Sequence, residues 1–181
     1  STTNELIMAN HLIKKAKSKR EETWLKSVMI SRTYYHNFVT HLLEAAFQRE
    51  VYKKVDSKQP LSAYVLNNIK LDVLRKFWGD AVEIPEWAGL TWMRQPHYFM
   101  GLYPYTYSAG LTLGTKVSKM IENKMIEPND WINVLKAGGT RNPLELAKMV
   151  GVDLSTDQML NEVIEEISAI IDDIIANQLE L

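Results

Sequence analysis

Cysteine is absent from the 181 residues. That excludes disulfides and thiolate metal sites and fits a reducing, cytoplasmic setting. A His-Glu-x-x-His motif is missing as well, and the four histidines, His11, His36, His41 and His97, show no metal-ligand spacing. His36 and His41 are five residues apart, about 500° of helical turn, which leaves their side chains about 140° apart and poorly placed to share one ion. His11 has no partner at ligand spacing, so no metal ligand is expected in this chain. Neither sign of charge is in surplus: 21 basic residues face 22 acidic ones, which leaves no general field for collecting nucleic acid or anionic membrane. No apolar run reaches spanning length, because the most aliphatic late stretch, residues 167–175, is broken by Asp172 and Asp173. The polar N-terminus shows no signal peptide, and Ser1 in place of an initiator methionine fits either processing or a piece of a longer polypeptide.

What remains is an ordinary globular composition, 46% hydrophobic and 24% charged, long enough for one sizeable core. Breakers are few, 8 glycines and 6 prolines, and the periodicity between them is helical. Thr2 and Glu5 form a capping-box pattern at the head of a first helix carrying Leu6, Met8, Leu12 and Ile13. Residues 21–54 contain neither proline nor glycine, and Trp24, Val28, Phe38, Leu42, Ala45 and Val51 recur at threes and fours, which implies one or two long helices. Pro60 stops them, and Ser62 caps a helix over residues 63–78. Residues 79–85 read as a loop and residues 86–95 as a short helix. Later helices are expected over 108–123, 128–137, 143–150 and 156–178. The last presents Met159, Val163, Ile167, Ile170 and Ile174 on one face and a solvated acidic face elsewhere. Gly138-Gly139-Thr140-Arg141 lacks the frame of a phosphate loop and reads as a helix stop, with Asn142-Pro143 opening the next helix. Gly110 and Gly114, with Ser108 and Ala109, make a small-residue face on which another helix can sit closely. The fold class is all-α, and residues 1–181 read as a single helical region with no linker.

One segment does not read as core. Residues 96–107, PHYFMGLYPYTY, hold one imidazole, four phenols and two prolines. Phenol and imidazole hydrogens donate without a fixed charge near neutral pH, which suits a developing oxyanion or a bound peptide backbone. The period of Tyr103, Tyr105 and Tyr107 is that of a strand, but Pro104 suits the first turn of a helix, and loop followed by helix is the favoured reading. Tyrosines equally bury the ring and leave the hydroxyl wet, so a structural loop or a partner-binding patch uses the same residues. Trp87, Trp92 and Arg94 upstream serve either as packing support or as part of a peptide groove.

Taken in order, Trp92-Met93-Arg94-Gln95-Pro96-His97-Tyr98-Phe99, then Tyr103 to Gly110 as YPYTYSAG, then Lys136-Ala137-Gly138-Gly139, Asn142-Pro143-Leu144-Glu145-Leu146 and Gly151-Val152-Asp153 resemble the C-terminal part of oligoendopeptidase F. That enzyme is one of the zinc metallopeptidases similar to thimet oligopeptidase. Gln95 departs from the pattern, which has an apolar residue there. The resemblance covers essentially the whole chain and implies a mostly helical, two-lobed peptidase in which HExxH supplies two zinc ligands and a general base. A further glutamate, just before a Ser-x-x-x-Glu pattern matched here by Ser1 and Glu5, completes the ligands. By that correspondence the zinc-binding portion precedes this chain. His97 and Tyr107, then Tyr105, are implied as catalytic donors near the reacting centre. Tyr103 and Arg94 are implied to bind substrate, and Glu5 to orient a zinc ligand.

The expectation is therefore the C-terminal part of a zinc-dependent oligoendopeptidase cleaving internal bonds of short peptides. Its partners would be an oligopeptide substrate and the missing HExxH-containing portion, with no nucleic acid and no membrane. Zinc would belong to the complete enzyme and none to this chain alone, which would be inactive by itself. The alternative is a non-catalytic helical module that binds a peptide or protein through residues 97–107.

Overall fold

Capping chemistry and breakers place most of the element ends. In the computed structural model, which describes residues 1–178, α1 spans Thr2–Lys14 with Ser1 at its N-cap position and no side-chain capping bond. The expected Thr2–Glu5 capping box does not form, because the Glu5 carboxylate instead accepts a hydrogen bond from Thr33 Oγ1. α2 (Lys19–Val28) opens on Ser18, whose hydroxyl accepts from the Glu21 N–H at 3.1 Å. The breaker-free stretch then continues without a gap but changes pitch. Met29–Thr40 is π-helical, and α3 (His41–Asp56) resumes the ordinary α form. Twelve residues is long for a conformation usually met as a single-turn bulge beside functional sites.

α4 (Ala63–Trp78) starts where Ser62 directs it, with the Ser62 hydroxyl accepting from the Val65 N–H at 3.3 Å. Residues 86–95, expected as a short helix, form a 3-10 segment over Glu86–Met93, and a second one covers Pro96–Phe99. Pro96 explains the division, since it drives Gln95 into an extended conformation with φ −102° and ψ 122°. α5 (Tyr105–Glu122) begins directly after Pro104, so the loop-then-helix reading holds. α6 (Pro128–Ala137), α7 (Pro143–Lys148) and α8 (Asp157–Gln178) follow. At α7 the Asn142 side chain accepts from the Glu145 N–H and the Glu145 carboxylate accepts from the Asn142 N–H, each at 3.0 Å. Gly138, at φ +54°, ends α6 in a conformation that side chains resist. Among the described residues there is no strand, and the fold is all-α. Nor is any described helix long and apolar enough to cross a membrane.

The described residues form two compact units, one from residues 1–36 with 109–178 and one from residues 37–108. Both divisions fall inside helices, where no linker composition marks them. In the first unit Val117, Trp131, Val134, Ala147, Val150 and Val152 make the core. Trp131 also donates its indole N–H to Asn4 Oδ1 at 2.8 Å. Gly114 is needed where α5 meets α1, since a Cβ there would lie 3.1 Å from the Thr3 backbone nitrogen, whereas one at Gly110 would meet nothing. The small-residue face is thus narrower than the sequence suggests. On α8 the apolar stripe faces inward around Val163, which is fully buried. The acidic side is not merely solvated: Asp173 pairs with Lys26 at 2.7 Å, and Glu162 pairs with Lys116.

In the second unit α3 packs on α4, and the Glu86–Met93 segment lies across α4. Trp92 serves as packing support, donating its indole N–H to Asn67 Oδ1 at 2.8 Å and stacking on Phe47, while Trp87 is exposed. Gly89 permits the close approach, because a Cβ there would stand 3.0 Å from both the Asn67 carbonyl oxygen and Leu71 Cγ. Backbone cannot give way as a flexible side chain can. Gly89→Ala should therefore destabilise the protein by about 1–3 kcal/mol, read as a lowered urea midpoint at unchanged slope.

Candidate functional site

The inward face of the second unit's long helix is polar. Asn37, His41, Glu44 and Gln48 are all buried, the last three at 1%, 1% and 2% exposure. Buried polar groups cost several kcal/mol unless hydrogen-bonded. Here the bonds are made toward the aromatic segment. Gln48 directs its side-chain N–H groups at three carbonyl oxygens, those of His97 (3.2 Å), Tyr98 (3.0 Å) and Met100 (2.9 Å). The 3-10 turn that carries His97 is thereby pinned to α3. Glu44 has both oxygens engaged: Oε2 lies 2.7 Å from His41 Nδ1, and Oε1 accepts from Gln95 Nε2 at 2.8 Å. That bond accounts for a polar residue at position 95.

Ring packing then gathers the donors. The His41 ring stacks on Tyr107 with centroids 3.7 Å apart and planes 14° apart, and it meets His97 edge-on at 5.3 Å. His97 stacks on Tyr103 at 5.6 Å, and Tyr103 meets Tyr107 edge-on at 5.4 Å. The Tyr107 hydroxyl lies 3.2 Å from His97 Nε2 and donates to the Tyr103 hydroxyl at 3.4 Å. Since a phenol has one proton, its oxygen accepts from the Nε2–H of His97. That tautomer leaves Nδ1 as the unprotonated nitrogen, and Nδ1 is buried with no hydrogen-bond partner among the described residues. The bond to Tyr103, then burial and the charges of Tyr103 and Glu44, push the Tyr107 phenol up to about 12. It therefore stays a neutral donor near pH 7.

Beneath this cluster Lys70 is buried and donates to the Tyr98 hydroxyl at 2.6 Å, with its ammonium 5.1 Å from the centroid of the same ring. Burial pulls Lys70 down to about 8, against the opposing charge of Glu44. Burial also raises the Tyr98 phenol above its ordinary range.

Of the residues singled out from sequence, His97, Tyr103 and Tyr107 converge. Tyr105 is exposed and has no ring contact or hydrogen bond with that cluster. Arg94 is exposed, and its side chain makes no hydrogen bond or ion pair among the described residues. Glu5 belongs to the other unit, bonded to Thr33. Sequence reasoning missed Glu44, Gln48 and Lys70 and found no partner for His41. The signal lay in polar residues at positions 37, 41, 44 and 48, spaced by fours and threes within one long helix.

His41, Glu44 and His97 each offer a ligating atom, all within 4.8 Å of one another, and their chemistry is that of a two-histidine, one-carboxylate zinc site. They do not fit that role as they stand. Both Glu44 oxygens and His97 Nε2 already take part in internal hydrogen bonds, so the group closes on itself. His97 Nδ1 is buried without a hydrogen-bond partner among the described residues, and one such atom does not make up the three or four ligands of a zinc site.

Neutral donors gathered in this way can hydrogen-bond a developing negative charge. The chain belongs to peptidase family M3, whose family model matches residues 1–166. It is 26% identical over 159 residues to "Oligopeptidase PepF" of Bacillus subtilis (strain 168), covering 87% of this chain and 24% of that protein. It is 27% identical over 156 residues to "Oligoendopeptidase F homolog" of Borreliella burgdorferi, covering 86% and 26% respectively. The chain thus spans about a quarter of the length of these curated relatives. The crystal structure of oligoendopeptidase-F from Enterococcus faecium matches all of this chain and 35% of its own, with a TM-score of 0.91 at 23% identity, a likeness of fold.

Two outcomes follow from the buried polar groups. Gln48→Leu leaves three carbonyls without their donor and should cost about 1–3 kcal/mol in urea unfolding, with faster proteolysis near residues 97–100. Lys70 binds its proton less tightly folded than unfolded. Between its folded value of about 8 and the ordinary 10.5 the unfolded chain therefore holds more protons, so stability rises with pH there, by at most about 1.4 kcal/mol per unit. From about pH 10 the raised phenols of Tyr98 and Tyr107 act in the opposite sense. Urea midpoints compared at about pH 8 and about pH 9.5 should show the rise in the parent and its loss in Lys70→Met.

Proposed function

We propose that residues 1–181 form the C-terminal part of a catalytic domain in a cytoplasmic, zinc-dependent oligoendopeptidase that hydrolyses internal bonds of short peptides. The observation that carries this reading is the convergence of His97, Tyr103 and Tyr107 above a buried carboxylate. Family membership and the names of the relatives support the substrate class. In this reading the activated water comes from a zinc site supplied by an HExxH-bearing portion outside this chain. The residues of this chain do the complementary work. As water adds to the scissile carbonyl, negative charge collects on its oxygen. The Tyr107 hydroxyl turns from its long bond to Tyr103 and donates to that oxygen, and His97 supports it through the Nε2–H. A phenol held protonated at neutral pH stabilises the charge without neutralising it by proton transfer. Tyr103, stacked on His97, would bind the substrate backbone. Tyr105 and Arg94, both exposed, would meet the peptide beyond the reacting bond, and Glu5 would orient a zinc ligand from its own unit.

The chain alone should not hydrolyse a quenched-fluorescence oligopeptide, and adding or fusing an HExxH-bearing portion should restore cleavage. In the restored enzyme Tyr107→Phe and His97→Ala should each lower kcat by about 100- to 1000-fold, with KM little changed. A stable zinc-loaded assembly that never cleaves peptides would overturn the peptidase reading. It would leave the peptide-binding alternative, in which the same two substitutions weaken ligand capture without any turnover to lose.

A further inference from the structure

Neither variant above touches the part of the site that is most deeply buried. Glu44 is 1% exposed and still uses both of its oxygens. One oxygen holds His41 Nδ1 at 2.7 Å, and the His41 ring, itself 1% exposed, lies flat against Tyr107 at 3.7 Å and 14°. The other oxygen holds the Gln95 amide, one residue before Pro96 and two before His97. A single carboxylate therefore anchors the platform under one proposed donor and the chain entering the other. We propose that Glu44 is a positioning residue: through His41 it fixes the ring of Tyr107, and through Gln95 the backbone that presents His97. This assignment rests on the peptidase reading for its kinetic consequence, but the structural coupling stands apart from it.

Several features separate this arrangement from simple core packing. An apolar side chain at position 44 would fill the space more cheaply than a buried carboxylate. The two hydrogen bonds are made at donor-acceptor distances of 2.7 and 2.8 Å. His41 also meets both proposed donors, one face-on and one edge-on, so a shift of its ring moves both together.

The test uses Glu44→Leu, which removes both bonds, and Glu44→Gln, whose amide oxygen still accepts from His41. In the 181-residue chain the Tyr107 ring protons, labelled for NMR, should show the upfield ring-current shift of a stacked imidazole. Glu44→Leu should largely abolish that shift, and Glu44→Gln should keep most of it. In the assembled enzyme Glu44→Leu should lower kcat by about 100-fold with KM within about twofold, and Glu44→Gln should recover at least about a tenth of the parental rate. A folded Glu44→Leu chain that retains the Tyr107 shift overturns the proposal. If Glu44→Leu fails to fold, Glu44→Gln decides: His41→Gln, which deletes the stacked ring, must then reproduce the loss of shift and rate that Glu44→Gln escapes, and equal behaviour of these two variants overturns it. An assembled parent without turnover removes the peptidase reading alone, and the NMR result still decides the coupling.

Discussion

A carboxylate at 1% exposure is tenable only when its oxygens accept hydrogen bonds, and that requirement at Glu44 organises the second unit. His41 must stand one helical turn before it, and Gln95 must arrive from fifty-one residues later. Once Gln95 is held, Pro96 turns the chain into the short 3-10 segment, and Gln48, one turn beyond Glu44 on the same face, collects the three carbonyls that this turn leaves open. The position of His97 thus follows from two polar side chains on α3 rather than from apolar contact.

That dependence explains what could be read from the chain beforehand. Ser62 opening α4, Pro128 opening α6, and Asn142-Pro143 opening α7 act within a few residues of themselves, so they are legible locally. The aromatic segment was conspicuous by composition, and its His97, Tyr103 and Tyr107 side chains converge. The supporting layer was not legible in the same way. Glu44 and Gln95 look like ordinary surface residues until tertiary pairing puts them together. Thr2 and Glu5 show the converse, since a sound local capping pattern lost to a longer-range bond with Thr33.

The expectation that His36 and His41 do not act as a pair holds, and the helix adds a further reason. The separation of about 140° holds for one regular helix, whereas residues up to Thr40 are π-helical and His41 begins the α-helical part. A change of pitch resets which positions face inward. His36 is exposed, while His41 is buried and in register with Glu44 and Gln48, at spacings of three and four. The partner relevant to His41 was therefore never another histidine on its own helix.

The same change of pitch bears on why so many polar groups can be buried on one face without unfolding the unit. A π stretch trades good local geometry for a wider turn, a cost that tertiary bonding must offset. Here that bonding includes the Ser108 hydroxyl, which donates to the Asn37 carbonyl at 3.0 Å just before the α form resumes. Asn37 and Ser108 also bracket the second unit in sequence, so this bond closes the unit at the two points where its chain enters and leaves. Tyr107, the residue immediately before Ser108, is held on one side by that closure and on the other by the His41 ring. A donor fixed from both directions loses little further freedom when it meets developing charge, which is the condition under which a neutral phenol is most effective.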